Sequence, residues 1–384
     1  MSQRDRNTLC TSEELARSSL KYATSIHELK DADFFIITVS TPAYYELPNL
    51  EPLIRATKSI ATILKKGDII VYESTVYPGT TEEICLPLLE EHSGLSSACD
   101  FYIGYSPERV SPNDSEHTLK NTPKIISAQS KKALKIIEKV YKSCCDTVVP
   151  VPQIKIAEAV KILENTQRDI NIALMNEFAE IMHAMDLNTY EIIKAAKTKW
   201  SFAPFKPGFV GGHCIAIDPL YLAFKAHRLG INHDLILTSR KVNDGVTKFV
   251  SYELIRLLIN KDILIKNCPI GVFGVTYKEN IPDVRNSLAM KFLIELKQLG
   301  FICQVHDPIA DVKMMSDKYG VELQDFDKIT NITVAIIIVG HDFYKKAGME
   351  KFLVKMDHQK IIMDIPNMFI DTYGKYDIDH YWSL

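Results

Sequence analysis

The chain has 384 residues, of which 46% are hydrophobic and 24% are charged, and its formal net charge is −3. This length favours two or three domains, and the small negative charge gives no reason to expect nucleic acid or an anionic membrane as a partner. The longest apolar runs, residues 34–39 and 334–339, are far shorter than the roughly 20 residues of a spanning helix. No signal peptide is evident, so we expect a cytoplasmic protein. None of the eight cysteines forms a C-x-x-C pair, and no metal site is predicted.

The first third of the chain predicts alternating strands and helices. The predicted strands are short apolar runs at Leu20–Thr24, Phe34–Val39, Ile69–Glu73, Phe101–Tyr105, Lys124–Ser127 and Thr147–Val151. Several of them end in turn-forming residues, and helical segments lie between several of them. This pattern is typical of a parallel sheet that is covered on both faces.

From Ile154 the periodicity becomes helical. Ile156, Val160, Leu163 and Ile170 support one helix of about 30 residues, on the order of 45 Å long at 1.5 Å per residue. Further helices are predicted at Tyr190–Thr198, Asp218–Leu229 and Leu235–Leu258. Strands then resume at Pro269–Gly274, Phe301–His306, Val334–Val339 and Ile361–Ile365. The sequence therefore predicts an α/β part, a helical middle and a second α/β part.

Two patterns in the middle of the chain could carry chemistry. In Gly211-Gly212-His213-Cys214, the glycines would let the backbone approach a ligand and free amides to meet an oxyanion. Asp218, four residues after the cysteine, could cap a helix or hold a water. The same pattern also fits a glycine turn with a buried thiol. Lys161 and Asn165 are four residues apart and share one helix face, which is more often a solvated edge than a site.

Strand ends supply the other candidates. Thr41-Pro42, Ser74-Thr75 and Glu108-Arg109 each follow a predicted strand, and ligands of open α/β sheets bind at the carboxyl ends of strands. Each piece is also a plausible strand-ending turn. In the last α/β part, three charged residues lie between a strand and a helix that begins near Ser287. They are Lys278, Asp283 and Arg285. That arrangement suits an anion or phosphate, although it is not a G-x-G-x-x-G motif.

Taken together and in this order, these segments resemble the UDP-glucose/GDP-mannose dehydrogenase family. The similarity is strongest to its UDP-N-acetylglucosamine 6-dehydrogenase branch, found in capsule and O-antigen pathways. The segments that carry it are Val71–Gly79, Gly104–Arg109, Val160–Asp169, Asn171–Glu177, Val210–Ile215 and Tyr277–Asn280. The resemblance implies a truncated Rossmann-like NAD-binding domain (1–152), a central helical domain with one long helix (153–262) and a Rossmann-like UDP-sugar-binding domain (263–384).

The resemblance also implies a reaction, the NAD-dependent two-step oxidation of the C6 alcohol of a UDP-N-acetylhexosamine to the uronic acid. Cys214 would carry the thiohemiacetal and the thioester. Lys161 would stabilise oxyanions, Asn165 and Asp218 would hold a water, Glu108 would assist hydrolysis, and Thr75 would position the water or the cofactor. The implied substrate-binding residues are Glu108, Arg109, Lys161, Asn165, Phe209, Gly211, Gly212 and Lys278. The implied NAD-binding residues are Thr41, Pro42, Thr75 and Arg285. A homodimer through the long central helix is expected.

The sequence departs from the family pattern at its beginning. The first glycine is Gly67, so no G-x-G-x-x-G turn precedes the strand at Phe34–Val39. We expect that strand and the fragment at Leu20–Thr24 to lack a neighbour. Smaller departures are Lys206, where close relatives carry Arg, and Leu220, where they carry Tyr.

Three hypotheses remain open from the sequence. The first is a dehydrogenase whose upstream segment lies outside these 384 residues. The second is a truncated protein that binds UDP-sugar without oxidising it. The third is a β-hydroxyacid-type dehydrogenase, which the Gly-Gly-His-Cys loop and the second α/β part disfavour.

Overall fold

The computed structural model describes residues 10–111, 114 and 116–384. The chain divides into two compact units. One comprises Met1–Gln167 with Ile217–Ile236, and the other comprises Arg168–Ala216 with Leu237–Leu384. The three-domain division expected from the sequence stays a prediction.

The α/β architecture with a helical middle is confirmed. The described residues form the helices α1 (Ser12–Arg17), α2 (Glu51–Ala61), α3 (Leu86–Ser93), α4 (Lys131–Tyr141), α5 (Ile154–Ala184), α6 (Thr189–Ala196), α7 (Asp218–Arg228), α8 (Asp234–Asn260), α9 (Leu288–Gln298), α10 (Val312–Tyr319), α11 (Asp342–Ala347) and α12 (Glu350–Leu353). They form the strands β1 (Phe34–Ile37), β2 (Ala43–Tyr44), β3 (Leu47–Pro48), β4 (Ile69–Tyr72), β5 (Tyr102–Tyr105), β6 (Lys124–Ala128), β7 (Val148–Pro150), β8 (Pro269–Phe273), β9 (Ile302–His306), β10 (Ile332–Ile337), β11 (Met356–Asp364) and β12 (His380–Trp382). None of the helices in this described part is long and apolar enough to cross a membrane.

The first unit is built on a five-stranded sheet in the order β1-β4-β5-β6-β7. Strand β4 is buried along its whole length, because its side chains alternate between two cores. Ile70 and Tyr72 pack in one core with Leu89, while Ile69 and Val71 pack in the other. A continuous apolar run is what a strand covered on both faces requires.

Two expectations for this sheet were wrong. The sheet is not wholly parallel, because β5 and β6 pair antiparallel. The described residues between them contain no helix, so the chain turns back instead of making the crossover that a parallel pair needs. The fragment Leu20–Thr24 forms no strand. Within the described residues β1 pairs only with β4, so the expectation that this strand lacks a second neighbour is confirmed.

The long helix expected from the apolar periodicity is confirmed as α5, which has 31 residues. It starts two residues after Pro152, contains no glycine or proline, and ends just before Asp186, whose φ is 55°. Ile154 and Ala157 pack in a core of the first unit, whereas Ala179 joins a core of the second unit.

The second unit contains a parallel sheet in the order β12-β11-β10-β8-β9. Strand β12, only three residues long, was not expected from the sequence. The strands β8, β10 and β11 run into the loops that begin at Gly274, Ile338 and Ile365. Because the sheet is parallel, all of these loops lie at one edge of it, where ligands of such sheets bind.

Candidate functional site

A cavity of about 330 Å³ lies in the second unit at the carboxyl ends of its strands. Its walls are formed by Tyr190, Lys206–Phe209, Thr276–Glu279, Ser287–Ala289, Ile338–Gly340, Ile365 and Pro366. Phe209 and Lys278 were expected in a substrate site, and the structure brings them to one cavity. Lys206 lies there too, so two lysines line the walls. A strand-end cavity with two cationic side chains suits a phosphate-bearing ligand.

One wall of the cavity is held by a buried side-chain amide. Asn176 of α5 donates to the carbonyl of Gly208 at 3.1 Å and accepts from the Gly208 N–H at 2.8 Å. Asn176 also donates to Asn243 of α8 at 2.8 Å, and Asn243 in turn donates to the Asp169 carboxylate at 2.8 Å. Arg240 pairs with Asp169 at 2.5 Å. The loop that carries Lys206 and Phe209 is therefore fixed by a buried polar chain running from two helices.

The two glycines before Cys214 are required by close approach of the backbone. A Cβ on Gly211 would lie 2.6 Å from the carbonyl oxygen of Asn286, which is a backbone atom. Gly212 has a φ of 85°, and a Cβ there would lie 2.6 Å from the Tyr277 ring. The Gly212 N–H donates to the same Asn286 carbonyl at 3.1 Å. The loop that leads to Cys214 is thus pressed against the segments that flank Lys278 and Ser287.

Charged residues surround the exposed Cys214 loop within the second unit. Arg285 forms an ion pair with Asp283 at 2.7 Å, and His213 lies 3.9 Å from the same carboxylate. Burial, reinforced by the nearby Arg285 charge, lowers the pKa of His213, so this imidazole is neutral at pH 7. Burial, followed by the proximity of Cys214, raises the pKa of Tyr277 to about 12. Cys214 therefore lies near a residue that lines the cavity.

The predicted pair on α5 meets Asp218 in the first unit. Asn165 donates to the Asp218 carboxylate at 2.5 Å, and both side chains are buried. Burial raises the pKa of Asp218 to about 6, while the Lys161 charge and the Asn165 hydrogen bond oppose that rise. A carboxyl with this pKa exchanges protons readily near neutral pH. Lys161, Asn165 and Asp218 therefore form one polar group, as the i, i+4 spacing allowed.

Threonines at two strand ends are joined in the same unit. The Thr41 hydroxyl, after β1, donates to the carbonyl of Thr75, after β4, at 2.6 Å. Tyr221 of α7 donates to the carbonyl of Pro42 at 3.2 Å. Three of the four expected NAD-binding residues, Thr41, Pro42 and Thr75, thus lie together at the carboxyl edge of the sheet. Ligands of open α/β sheets bind at this edge, so the position of the three residues fits a dinucleotide. Arg285, the fourth expected NAD residue, lies in the second unit beside Asp283.

Glu108 and Arg109 are anchored differently from one another. Glu108 is exposed, and its carboxylate lies 3.7 Å from the ammonium of Lys124. Lys124 is buried and pairs with Glu73 at 3.0 Å. Arg109 pairs with Glu164 of α5 at 2.6 Å and donates to the carbonyl of Pro123 at 2.7 Å. Arg109 is therefore committed to a protein ion pair, and Glu108 is the carboxylate exposed to solvent.

Sequence reasoning missed the supports of these groups. Lys124 begins β6 and Glu73 directly follows β4, and charged residues at such positions are usually solvated. Asn176 lies in a segment that carried the family resemblance, but its partner Gly208 is 32 residues away. A local sequence pattern contains no information about contacts between residues so far apart in the chain. No group of three or more His, Cys, Asp or Glu side chains within the described residues could hold a metal ion.

Comparison with known proteins places these features in one family. Three models of the UDP-glucose/GDP-mannose dehydrogenase family match consecutive parts of the chain. They are the NAD binding domain over residues 8–145, the central domain over 155–245 and the UDP binding domain over 271–371. The chain belongs to the UDP-glucose/GDP-mannose dehydrogenase family. Because the NAD binding domain is matched, the hypothesis of a truncated, non-oxidising remnant is not favoured. Family membership also rules out the β-hydroxyacid-type alternative.

Individual relatives of this dehydrogenase agree over most of its length. Protein CapL of Staphylococcus aureus is 40% identical over 367 residues, which is 95% of this chain and 85% of CapL. The UDP-N-acetyl-D-glucosamine 6-dehydrogenase of Salmonella typhi is 41% identical over 349 residues, 90% of this chain and 82% of that protein. The structure of UDP-D-ManNAc dehydrogenase from Pyrococcus horikoshii matches with a TM-score of 0.85 and 31% identity, covering 97% of this chain and 85% of the other.

Proposed function

We propose that this chain is an NAD-dependent UDP-N-acetylhexosamine 6-dehydrogenase that supplies uronic acids for surface polysaccharide synthesis in the cytoplasm. The observation that carries the proposal is the packing of the Gly211-Gly212 loop, which leads to Cys214, against Tyr277 and Asn286 beside the cavity that Lys278 lines. A thiol next to a strand-end, phosphate-suited cavity is what oxidation of a UDP-sugar to an acid requires. The relative from Salmonella typhi, 41% identical, is named for the same activity.

The substrate is held in the second unit. Lys206 and Lys278 face the two phosphates of the UDP-sugar, and Phe209 and Tyr190 supply apolar contact area. The loop of Gly211 and Gly212 leads the chain towards C6 of the sugar. The Asn176 hydrogen bonds keep one of these walls in place before the ligand arrives, which lowers the ordering cost of binding.

Cys214 makes the second oxidation possible. When bound, NAD+ accepts the hydride that leaves C6 in each of the two oxidations. After the first, the Cys214 thiol adds to the C6 aldehyde, forming a C–S bond and a thiohemiacetal. Loss of the second hydride from that carbon gives a thioester. Water then breaks the C–S bond, which yields the carboxylate and returns the thiol.

The polar group on α5 and α7 handles protons and developing charge. Lys161 stabilises the negative oxygen on C6, and Asn165 and Asp218 hold the water that takes the alcohol proton. The pKa of Asp218, raised to about 6 by burial, suits a carboxylate that accepts a proton near neutral pH. Glu108 assists thioester hydrolysis, with Arg109 fixing the adjoining main chain through Glu164. Thr41, Pro42 and Thr75 would hold NAD, and Arg285 would reach its diphosphate.

We also propose a homodimer through the long helix α5. Leu174 and Ile181 lie seven residues apart on α5 and are 60% and 49% exposed, and Tyr252 and Ile259 on α8 are similarly exposed. Apolar side chains in such a row on neighbouring helices are typical of a protein interface.

The proposal is tested by replacing the nucleophile. Cys214→Ala should make no uronic acid, and Cys214→Ser should be severely impaired, because an oxygen ester forms and turns over poorly here. Intact-protein mass spectrometry of the wild type during turnover should show a sugar-nucleotide adduct on Cys214. The matched control is Cys99→Ala, which removes another exposed thiol and should keep full activity. Full acid production by Cys214→Ala would exclude Cys214 as the nucleophile.

A further inference from the structure

A buried carboxylate ties together two strand ends beneath the cavity. Asp307 follows β9, and one of its carboxylate oxygens accepts from the backbone N–H groups of Val275 at 2.7 Å and Thr276 at 3.2 Å, after β8. The other oxygen accepts from Ile309 at 3.0 Å and Ala310 at 2.8 Å. Burial opposes ionisation, but the His341 hydrogen bond and these amides hold the pKa of Asp307 below its ordinary value. Asp307 is therefore an ionised acceptor that organises main chain.

Asp307 and His341 together form a polar hub. His341, which is 1% exposed, reaches the far end of the same loop. Its Nδ1 accepts from the backbone N–H of Asn280 at 2.9 Å, so Nδ1 carries no proton. The proton is then on Nε2, which donates to Asp307 at 3.2 Å. Both ring nitrogens are thus engaged inside the protein. The Asp307–His341 pair resembles a catalytic dyad in composition, but no nitrogen is left to take a proton from a substrate.

Thr276 links the hub to Lys278. Its hydroxyl donates to the Lys278 carbonyl at 3.0 Å and lies 3.1 Å from Nε2 of His341. The hub therefore holds main-chain groups of residues 275, 276, 278 and 280. The side chains of the same loop, Tyr277, Lys278 and Glu279, line the cavity.

We propose that Asp307 and His341 are positioning residues for the UDP-sugar. They fix the Thr276–Asn280 main chain before the ligand binds, so that Tyr277 and Lys278 reach it without an entropic cost of ordering the loop. This inference rests on the proposed function. Neither residue touches the ligand, and each acts through the loop.

The test is calorimetric titration of the full chain with UDP. His341→Ala should raise the Kd for UDP about tenfold, because the Asn280 amide and the Asp307 carboxylate both lose a buried partner. His341→Asn should recover most of the affinity, since its amide oxygen can replace Nδ1 as the acceptor for Asn280. With UDP-N-acetylglucosamine and NAD+, KM should rise in His341→Ala while kcat stays close to that of the wild type.

The control is His306→Asn. His306 is also a buried imidazole of this unit, but it bonds Tyr344, so its replacement should lower thermal stability and leave the Kd for UDP unchanged. If His341→Ala does not fold, Thr276→Val removes only the hydroxyl that holds the Lys278 carbonyl and should raise the Kd severalfold. The inference is overturned if His341→Ala binds UDP with wild-type affinity. Where Thr276→Val serves as the test, wild-type affinity in that variant overturns it. An equal loss of affinity in the His306 control overturns it too. A wild-type chain that does not bind UDP overturns the proposed function itself.

Discussion

Replacing Asp218 by asparagine should stabilise the protein while abolishing its activity. Asp218 is 2% exposed, and burial raises its pKa from 3.8 to about 6. The asparagine side chain would still accept the Asn165 hydrogen bond through its own oxygen, but it would carry no charge.

The magnitude follows from proton linkage. Below its unfolded pKa, a carboxyl whose pKa is raised on folding is protonated in both states and does not change stability. Stability then falls as the pH rises from the unfolded to the folded pKa, and the full cost applies above the folded pKa. A rise in the Asp218 pKa from 3.8 to about 6 corresponds to about 3 kcal/mol above pH 6. Asp218 also begins α7, where a negative charge gains about 0.5 kcal/mol from the helix N-terminus. Asp218→Asn should therefore gain about 2–3 kcal/mol at pH 8, and less than about 1 kcal/mol at pH 4.5.

Thermal unfolding at pH 8 and pH 4.5 measures this directly. The gain at pH 8 corresponds to a rise in Tm of about 5–10 °C. Asp234→Asn is the matched control, because Asp234 also begins a helix but is exposed. That variant should lower stability by about 0.5 kcal/mol. A destabilised Asp218→Asn at pH 8, or an equal gain at both pH values, would refute the linkage argument.

Other perturbations probe the loops and the sheet edge. Asn176→Ala should raise the Kd for UDP severalfold, because the Gly208 main chain loses two hydrogen bonds; calorimetry showing wild-type affinity would contradict this. Gly211→Ala should sharply lower kcat/KM and leave the circular dichroism spectrum unchanged, because the added methyl group would lie 2.6 Å from the Asn286 carbonyl oxygen. An unaltered kcat/KM would show that the loop can shift. Amides of β1 should exchange hydrogen faster than those of β4, which is paired on both sides; equal protection would reveal a second neighbour for β1.

Local patterns predicted most elements of this fold. The apolar runs of β4 and β10 and the periodicity of α5 are visible within a few residues of sequence, and each became the element expected. Strand pairing is a tertiary property. No local pattern indicated that β6 would pair antiparallel to β5, or that a three-residue strand, β12, would close the second sheet.

In the candidate site, too, some residues could be predicted from the sequence, whereas others depend on tertiary contacts. Lys161 and Asn165 could be placed on one face from their spacing, and family resemblance added Asp218, which lies 53 residues beyond Asn165. The residues that hold the loops of the site in place could not be predicted. His341 and Asp307 are separated by 34 residues, and Asn176 and Asn243 by 67. Each is an ordinary polar residue until folding buries it next to its partner.

The most direct test of the proposed function is the stoichiometry of the reaction. The purified chain is incubated with UDP-N-acetylglucosamine and excess NAD+, while NADH is followed by absorbance and the sugar product by mass spectrometry and NMR. Two NADH per sugar consumed, with a carboxylate at C6 and no released aldehyde, is the result that a Cys214 thioester predicts. One NADH per sugar, a free aldehyde, or no NADH from any UDP-N-acetylhexosamine would contradict it.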